Sequence, residues 1–263
     1  MTKITPQMSN FGTLHAIKKG QGKRLVFIHG VGLCHEAWIP QIEVFSDHYE
    51  VIALDLPGHG QSPLENAISF ADFKQRLLEA LEDMGEDYIL IGHSLGALLS
   101  LGIAVDNPHH MRAFVCVNPV YQRDEAAREA VLNRAHDLRI LSHEQRNHAP
   151  TLDRWYGNDY PFLRKQTEAW LNGAGGGYGV AYNIFAQYQD PSLATLKQIT
   201  QPSLIITGED DPNSTPEMTK ILAASMQNAK EHFIKTARHM MPLTHAKPFN
   251  MALRHFLNEI AYV

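Results

Sequence analysis

The sequence predicts an α/β fold: a mostly parallel sheet with helices on both faces, interrupted by a helical insertion. Three observations lead there. Short runs that are apolar throughout alternate with segments of helical periodicity. Most of these runs stop at a glycine, a proline or a polar turn. One long stretch, from about Tyr121 to Ile199, contains no buried-strand pattern. Strands that are apolar at every position are buried on both faces, and alternation with helices is the mark of a parallel sheet.

The elements follow in order. Arg24 to Ile28 is the first buried run and ends at His29-Gly30. Val51 to Leu54 ends at Asp55-Leu56-Pro57-Gly58, and Tyr88 to Ile91 ends at Gly92. Ala113 to Val117 ends at Asn118-Pro119, and Ser203 to Thr207 ends at Gly208. Glu231 to Lys235 is a weaker sixth run. Between them, Phe70 to Met84 places Phe70, Phe73, Leu77, Leu78, Leu81 and Met84 near one helical face. Pro216 to Met226 follows Ser214-Thr215, a helix-start signal. Phe249 to Ile260 reads as a closing helix.

The stretch without strands reads as a cap. Residues 122–199 form it, and residues 1–121 and 200–263 form the core. Asp124 to Leu141 is a charged amphipathic helix. Trp155, Tyr156, Tyr160, Phe162, Trp170, Tyr178, Tyr182, Phe185 and Tyr188 suit the roof of an apolar pocket as well as plain packing of small helices. Gly173 to Gly177 follows no strand and lacks a Gly-Lys-Ser/Thr ending. It is therefore read as a hinge in the cap and not as a phosphate cradle.

Composition narrows the classes. The 263 residues are 44% hydrophobic and 19% charged, enough apolar sequence for a full core. The net charge of −5 is interspersed, with no basic block to engage nucleic acid. Cys34 and Cys116 give neither a disulfide framework nor a C-x-x-C motif. The first residues lack the apolar run of a signal peptide. The longest apolar stretch, Ile89 to Val105, is broken by Gly92-His93-Ser94. A cytoplasmic location and no membrane association are the expectation. The sequence leaves the oligomeric state open.

The chemistry centres on Gly92-His93-Ser94-Leu95-Gly96, which follows a strand and precedes a helix from Ala97 to Val105. A G-x-S-x-G turn in that context is a nucleophile elbow. Its glycines permit a tight turn that pushes the serine hydroxyl out at the sheet edge. The helix that starts there points N–H groups at negative charge. A hydroxyl needs a base to become a nucleophile, and the chain has 15 histidines. The order serine, acid, histidine selects His239, just beyond the last strand, with His245 as competitor and His255 on the surface of the final helix. Gly208-Glu209-Asp210-Asp211 ends the fifth run, and its Gly-x-x-Asp spacing selects Asp211, with Asp210 second. Asn118 offers no acid after the preceding strand, which favours Asp211 further. The oxyanion donors are read as the backbone N–H groups of Leu95 and of Val31, with Gly32 as the alternative to Val31.

These motifs together resemble the α/β-hydrolase family of esterases, lactonases, C–C bond hydrolases and cofactor-free haloperoxidases. The match runs from about Leu25 to Leu257 and includes Asp55-Leu56-Pro57-Gly58-His59-Gly60-Gln61-Ser62 and Arg238-His239-Met240. The resemblance implies an α/β-hydrolase fold with a cap where residues 122–199 lie. It also implies a serine hydrolase that needs no cofactor and acts on a small-molecule acyl substrate, with a small carboxylic ester as the first expectation. A lactone, an amide or a C–C bond is the alternative within enzymes, and a ligand sensor on the same fold is the alternative outside them. Arg238 and Thr244 replace the glycine and glutamate common in relatives. Met240 and Leu33 stand where ring-fission C–C hydrolases often carry an aromatic residue and part of a Gly-Pro pair. Ser94 argues against haloalkane cleavage, which uses an aspartate.

No metal is expected. His143-Glu144 and His148 miss the H-E-x-x-H spacing by one residue, and the adjacent His109 and His110 diverge on a helix. All read as solvated. Cys34, beside the oxyanion loop, reads either as pocket-lining or as a buried structural thiol.

Overall fold

The computed structural model of the chain describes residues 5–85, 87–106, 110–141 and 145–262. Eight strands form one sheet: β1 (Gln7–Phe11), β2 (Leu14–Lys19), β3 (Arg24–Ile28), β4 (Glu50–Leu54), β5 (Tyr88–His93), β6 (Met111–Val117), β7 (Ser203–Gly208) and β8 (Ala229–Ile234). Their order is β1-β2-β4-β3-β5-β6-β7-β8. From β4 to β8 neighbours are parallel, and β1 and β2 join antiparallel at one edge. The six predicted runs are β3 to β8. The edge pair is absent from the sequence reading because β1 is mostly exposed and carries no apolar run.

Alternation along the strands feeds two cores. Val26, Ile28 and Leu90 face one layer, and Leu25, Phe27, Ile89 and Ile91 face the other. The first layer holds α2 (Phe70–Met84), α3 (Leu95–Val105) and α9 (Pro216–Ala224). The second holds α1 (Ile39–Phe45) and α11 (Ala246–Glu259). Ser69 and Asp72 form a reciprocal capping box that starts α2. Nine residues of α3 are buried, so it is apolar all round.

Between β6 and β7 the chain is helical: α4 (Glu125–Ile140), α5 (Ala149–Tyr156), α6 (Pro161–Gly173), α7 (Gly175–Gln187) and α8 (Leu193–Leu196). The glycine run expected as a hinge is instead a corner between α6 and α7, with Gly175, Gly176 and Gly177 inside α7. Close approach explains one of its glycines, Gly177, whereas Gly173, Gly175 and Gly176 face open space. A Cβ on Gly177 would stand 2.0 Å from the Gly58 carbonyl oxygen. The aromatic roof is also only partial: Trp155, Tyr156, Tyr178 and Tyr188 are buried, but Phe162 is 77% exposed. Among the described residues no helix is long and apolar enough to cross a membrane.

Candidate active site

Ser94 lies between β5 and α3 with φ 53° and ψ −113°, a positive-φ conformation that costs a side-chain residue energy. Its neighbours show why the turn needs glycine. A Cβ on Gly92 would be 2.1 Å from the Gly96 oxygen, and one on Gly96 would be 2.3 Å from the Ile28 oxygen. The turn is pinned to the sheet by Ser94 N–H, which donates to Val117 O at 2.9 Å. Ser94 is buried, 6% exposed.

The loop after β3 packs against this turn. A Cβ on Gly30 would sit 3.1 Å from Ser94 Cβ. Within that loop, Gly32 N–H donates to His59 Nε2 at 3.0 Å, which commits it elsewhere. Neither the Val31 N–H nor the Leu95 N–H donates to a backbone acceptor among the described residues. Leu95 is the first residue of α3, so its N–H belongs to the unpaired amino-terminal set.

His239 and Asp211 form a buried pair. His239 Nδ1 donates to Asp211 Oδ2 at 2.8 Å. Burial alone would raise the Asp211 carboxyl pKa. His239, the Asn213 N–H and the Asn118 amide outweigh it and hold the carboxyl below its ordinary value. Asp210, by contrast, is exposed. His245 bonds Thr236 and Thr244, and His255 projects into solvent near Glu259. Neither is hydrogen-bonded to Asp211.

Two residues complete this arrangement that sequence reasoning did not assign. His93 Nε2 donates to the His239 carbonyl at 2.8 Å, tying the residue beside Ser94 to the histidine loop. Its place inside the serine motif was the available signal. Asn118 Nδ2 donates to Asp211 Oδ2 at 2.7 Å and to Thr207 at 3.1 Å. Sequence reading took Asn118 only as a missing acid, yet its amide holds the carboxylate in the turn after β7.

Buried imidazoles brace the loops. His29 Nε2 accepts from Leu56 N–H, and His29 Nδ1 donates to Gly30 O. His59 Nδ1 donates to Pro57 O. Both rings are neutral: burial, then His59, pushes His29 down to about 3, and burial pushes His59 down to about 4. His93 falls to about 3 through burial and the neighbouring His239. Further from Ser94, His15 and His35 each donate Nδ1 to Asp55. Ligand atoms of this trio lie within 4.8 Å of one another. Hydrogen bonds engage the Asp55 carboxylate throughout, including those from the His35 and Gln61 N–H groups, so the cluster closes the turn after β4.

The inserted helices meet this region directly. The Trp155 ring lies 5.4 Å from the His239 ring, centroid to centroid. Arg238 packs against Gly157 at the end of α5. Thr244 bonds Met240 O in the short helix α10 (Met241–Thr244) and serves packing. Cys34 is buried, and burial pushes its thiol up to about 12, which fits a structural thiol. His143-Glu144 and His109 lie outside the described residues. His148, expected to be solvated, is buried. A groove of about 670 Å³ between β8 and α11 is lined by Phe233, Met251 and His255 and includes none of Ser94, His239 and Asp211.

Comparison with known proteins fits this geometry. The sequence profile described as alpha/beta hydrolase fold matches residues 23–246. The (E)-2-((N-methylformamido)methylene)succinate hydrolase of Acinetobacter baylyi is 38% identical over 262 residues, 98% of each chain. The pimeloyl-[acyl-carrier protein] methyl ester esterase of Legionella pneumophila (strain Paris) is 25% identical over 250 residues, 93% of this chain and 99% of that one. The enol-lactonase of Burkholderia xenovorans LB400 superposes with a TM-score of 0.82 at 20% identity, covering 96% of this chain and 100% of its own. A buried His–Asp pair beside a strained serine turn, on a sheet of this order, has the same meaning as these matches: the chain belongs to the alpha/beta hydrolase fold family of hydrolases.

Proposed function

We propose that the chain is a serine hydrolase that cleaves a small amide or ester carrying a carboxylate. Ser94 is the nucleophile, His239 the base and Asp211 the acid that orients it. Val31 and Leu95 N–H groups are the oxyanion donors. The observation that carries this reading is the buried His239–Asp211 hydrogen bond, held beside the Ser94 turn by His93. Residues 122–199 act as a cap over a core of residues 1–121 and 200–263.

Two half-reactions follow. Ser94 Oγ attacks the carbonyl carbon while His239 Nε2 takes its proton. Negative charge develops on the carbonyl oxygen and is met by the two N–H groups, each typically worth about 10² to 10³ in rate. The bond to the leaving nitrogen or oxygen breaks, and His239 returns the proton to it. Water then attacks the acyl–serine, again losing a proton to His239. His239 gives that proton to Ser94 Oγ as the C–Oγ bond breaks, which releases the carboxylic acid and restores the serine hydroxyl. Water supplies the atoms that the products gain, the His239–Asp211 pair relays each proton, and the two N–H donors meet the charge.

The amide form of the reading draws on the Acinetobacter baylyi relative, whose name specifies an amidomethylene succinate and which aligns along nearly the whole chain. The ester form draws on the Legionella esterase. Steady-state assays of a 2-(amidomethylene)succinate beside p-nitrophenyl acetate and longer acyl esters separate them. The amide form predicts that kcat/KM for the succinate derivative exceeds that for every neutral ester. Preference for a neutral ester would reject it in favour of the ester form.

A further inference from the structure

The end of α5 reaches the histidine loop at two points. The Trp155 ring centroid is 5.4 Å from that of His239, and the two planes are inclined by 34°. That geometry is nearer to offset stacking than to an edge-on contact. Arg238, the residue before His239, stands beside Gly157, where a Cβ would come within 3.3 Å of its Nε. Gly157 has φ 68°, so a glycine both ends the helix there and leaves room for the guanidinium.

Trp155 is braced in that place through two helices. Its neighbour Tyr156 is buried, and a hydrogen bond of 2.6 Å between the Tyr156 and Thr167 hydroxyls joins α5 to α6. Arg164 on α6 donates to Gly157 O and pairs with Asp153 at 2.5 Å. The α6 helix is in turn fixed to the core. Trp170 Nε1 donates to Glu36 Oε2 at 2.9 Å, and Leu171 packs on Gly32.

The imidazole of His239 is the group whose charge changes during the proposed reaction, becoming an imidazolium in both halves of it. Asp211 meets that charge at Nδ1, 2.8 Å away. The other titratable groups around the loop do not. The His93 ring, 4.8 Å away, is neutral, and Arg238 carries the same sign. On α5, Arg154 is exposed and Asp153 is engaged by Arg164. Asp210 is exposed, and His245 is held by Thr236 and Thr244. The Trp155 ring is therefore the neighbour left to act on the charge. A cation within about 6 Å of a tryptophan ring centroid is attracted by the ring quadrupole, most strongly where water is excluded. His239 is 2% exposed.

We infer that Trp155 is a positioning residue for the Ser94 reaction: its indole fixes the His239 ring and stabilises the imidazolium that forms as Ser94 gives up its proton. The inference rests on the reading of Ser94 as nucleophile and His239 as base. It makes α5 part of the proton relay, so the reaction centre of the core is completed by a residue of the inserted helices.

Steady-state hydrolysis of p-nitrophenyl acetate by wild type, Trp155→Phe and Trp155→Leu tests it on the intact chain. Both replacements are apolar and exclude water, but only phenylalanine keeps an aromatic face. We expect kcat to fall about 3- to 30-fold in Trp155→Leu with KM little changed, and Trp155→Phe to recover most of the loss. The acidic limb of kcat/KM against pH should lie at lower pH in Trp155→Leu than in Trp155→Phe, because losing the aromatic face disfavours the imidazolium. A role in packing alone would lower the melting temperature without moving that limb. Indole emission supplies a readout that needs no variant of residue 155. An imidazolium in contact with an indole quenches it, so wild-type emission should fall on acidification over the range of the acidic limb, and His239→Gln should lose that step. The same kcat and the same limb in Trp155→Leu and Trp155→Phe, or an emission step that persists in His239→Gln, would overturn the role of Trp155. Turnover undiminished in Ser94→Ala would instead overturn the reaction on which it rests, while the emission result would still stand.

Discussion

The imidazole of His93 donates to the main-chain carbonyl of His239 at 2.8 Å, so the residue preceding Ser94 fixes the position of the histidine loop. Side chains elsewhere could hold His239 by its ring, but this bond holds its backbone. His93→Leu keeps an apolar filler against Trp38 and removes the donor. Small misplacements of reacting groups cost on the order of 100-fold in rate. We expect kcat to fall by about 10- to 100-fold with KM little changed. An unchanged kcat would show that the bond is structural only.

Asn118 performs a comparable task for Asp211. Asn118→Asp would set a second carboxylate beside one that is already buried, and like charges raise the pKa of such a pair. Wild-type Asp211 stays ionised below the ordinary carboxylate range. The acidic limb of kcat/KM against pH should therefore move to higher pH in Asn118→Asp. A limb that stays in place would mean that Asn118 does not set the ionisation of Asp211.

Stability should fall on mild acidification. His29, His59 and His93 titrate at about 3, 4 and 3 in the folded chain, against 6.5 unfolded. Above pH 6.5 all are neutral in both states and contribute no pH dependence. Below it the unfolded chain binds protons that the native chain refuses, so native stability declines from pH 6.5 towards pH 4. The loss at pH 5 is about 2 kcal/mol for each imidazole. His35 works the other way. Burial would lower it, but its bond to Asp55 wins and raises it, so its stabilisation is full below pH 6.5 and lost as pH rises through its folded value. Three groups against one give a net decline. Urea denaturation at pH 7.5 and pH 5 measures it, and equal midpoints would contradict the neutral-imidazole framework.

Gly177→Ala sets two principles against each other. Helix propensity alone favours alanine by about 1 kcal/mol. Contact with the Gly58 backbone, which cannot rotate away, opposes it and costs about 1–3 kcal/mol as overpacking. We expect net destabilisation in denaturant melts. A stabilised variant would mean that α7 and the Gly58 loop do not approach as closely as the structure places them.

Much of this was legible in the sequence, for physical reasons that differ by element. β3 to β8 announced themselves because a strand covered on both faces must be apolar at every position. β1 and β2 did not, because β1 is mostly exposed and β2 buries only its first half, so neither needs a continuous apolar run. Ser94 was legible because strain at the turn imposes flanking glycines, and Asp211 because it sits on a strand-ending glycine turn. The roles of His93 and Asn118 were not legible. Their roles depend on contacts between residues such as 93 and 239 or 118 and 211, and no local pattern records those distances. The glycine corner misled for a related reason: Gly177 is there for a neighbour far along the chain, and composition alone suggests freedom instead.

The most direct measurement is mass spectrometry of the protein after reaction with a p-nitrophenyl phosphonate, with p-nitrophenyl acetate turnover followed in parallel for wild type and Ser94→Ala. The account predicts one covalent adduct, on Ser94, and turnover lower by about 10⁴-fold or more in Ser94→Ala. An adduct on another residue, or turnover that survives in Ser94→Ala, would contradict Ser94 as the nucleophile.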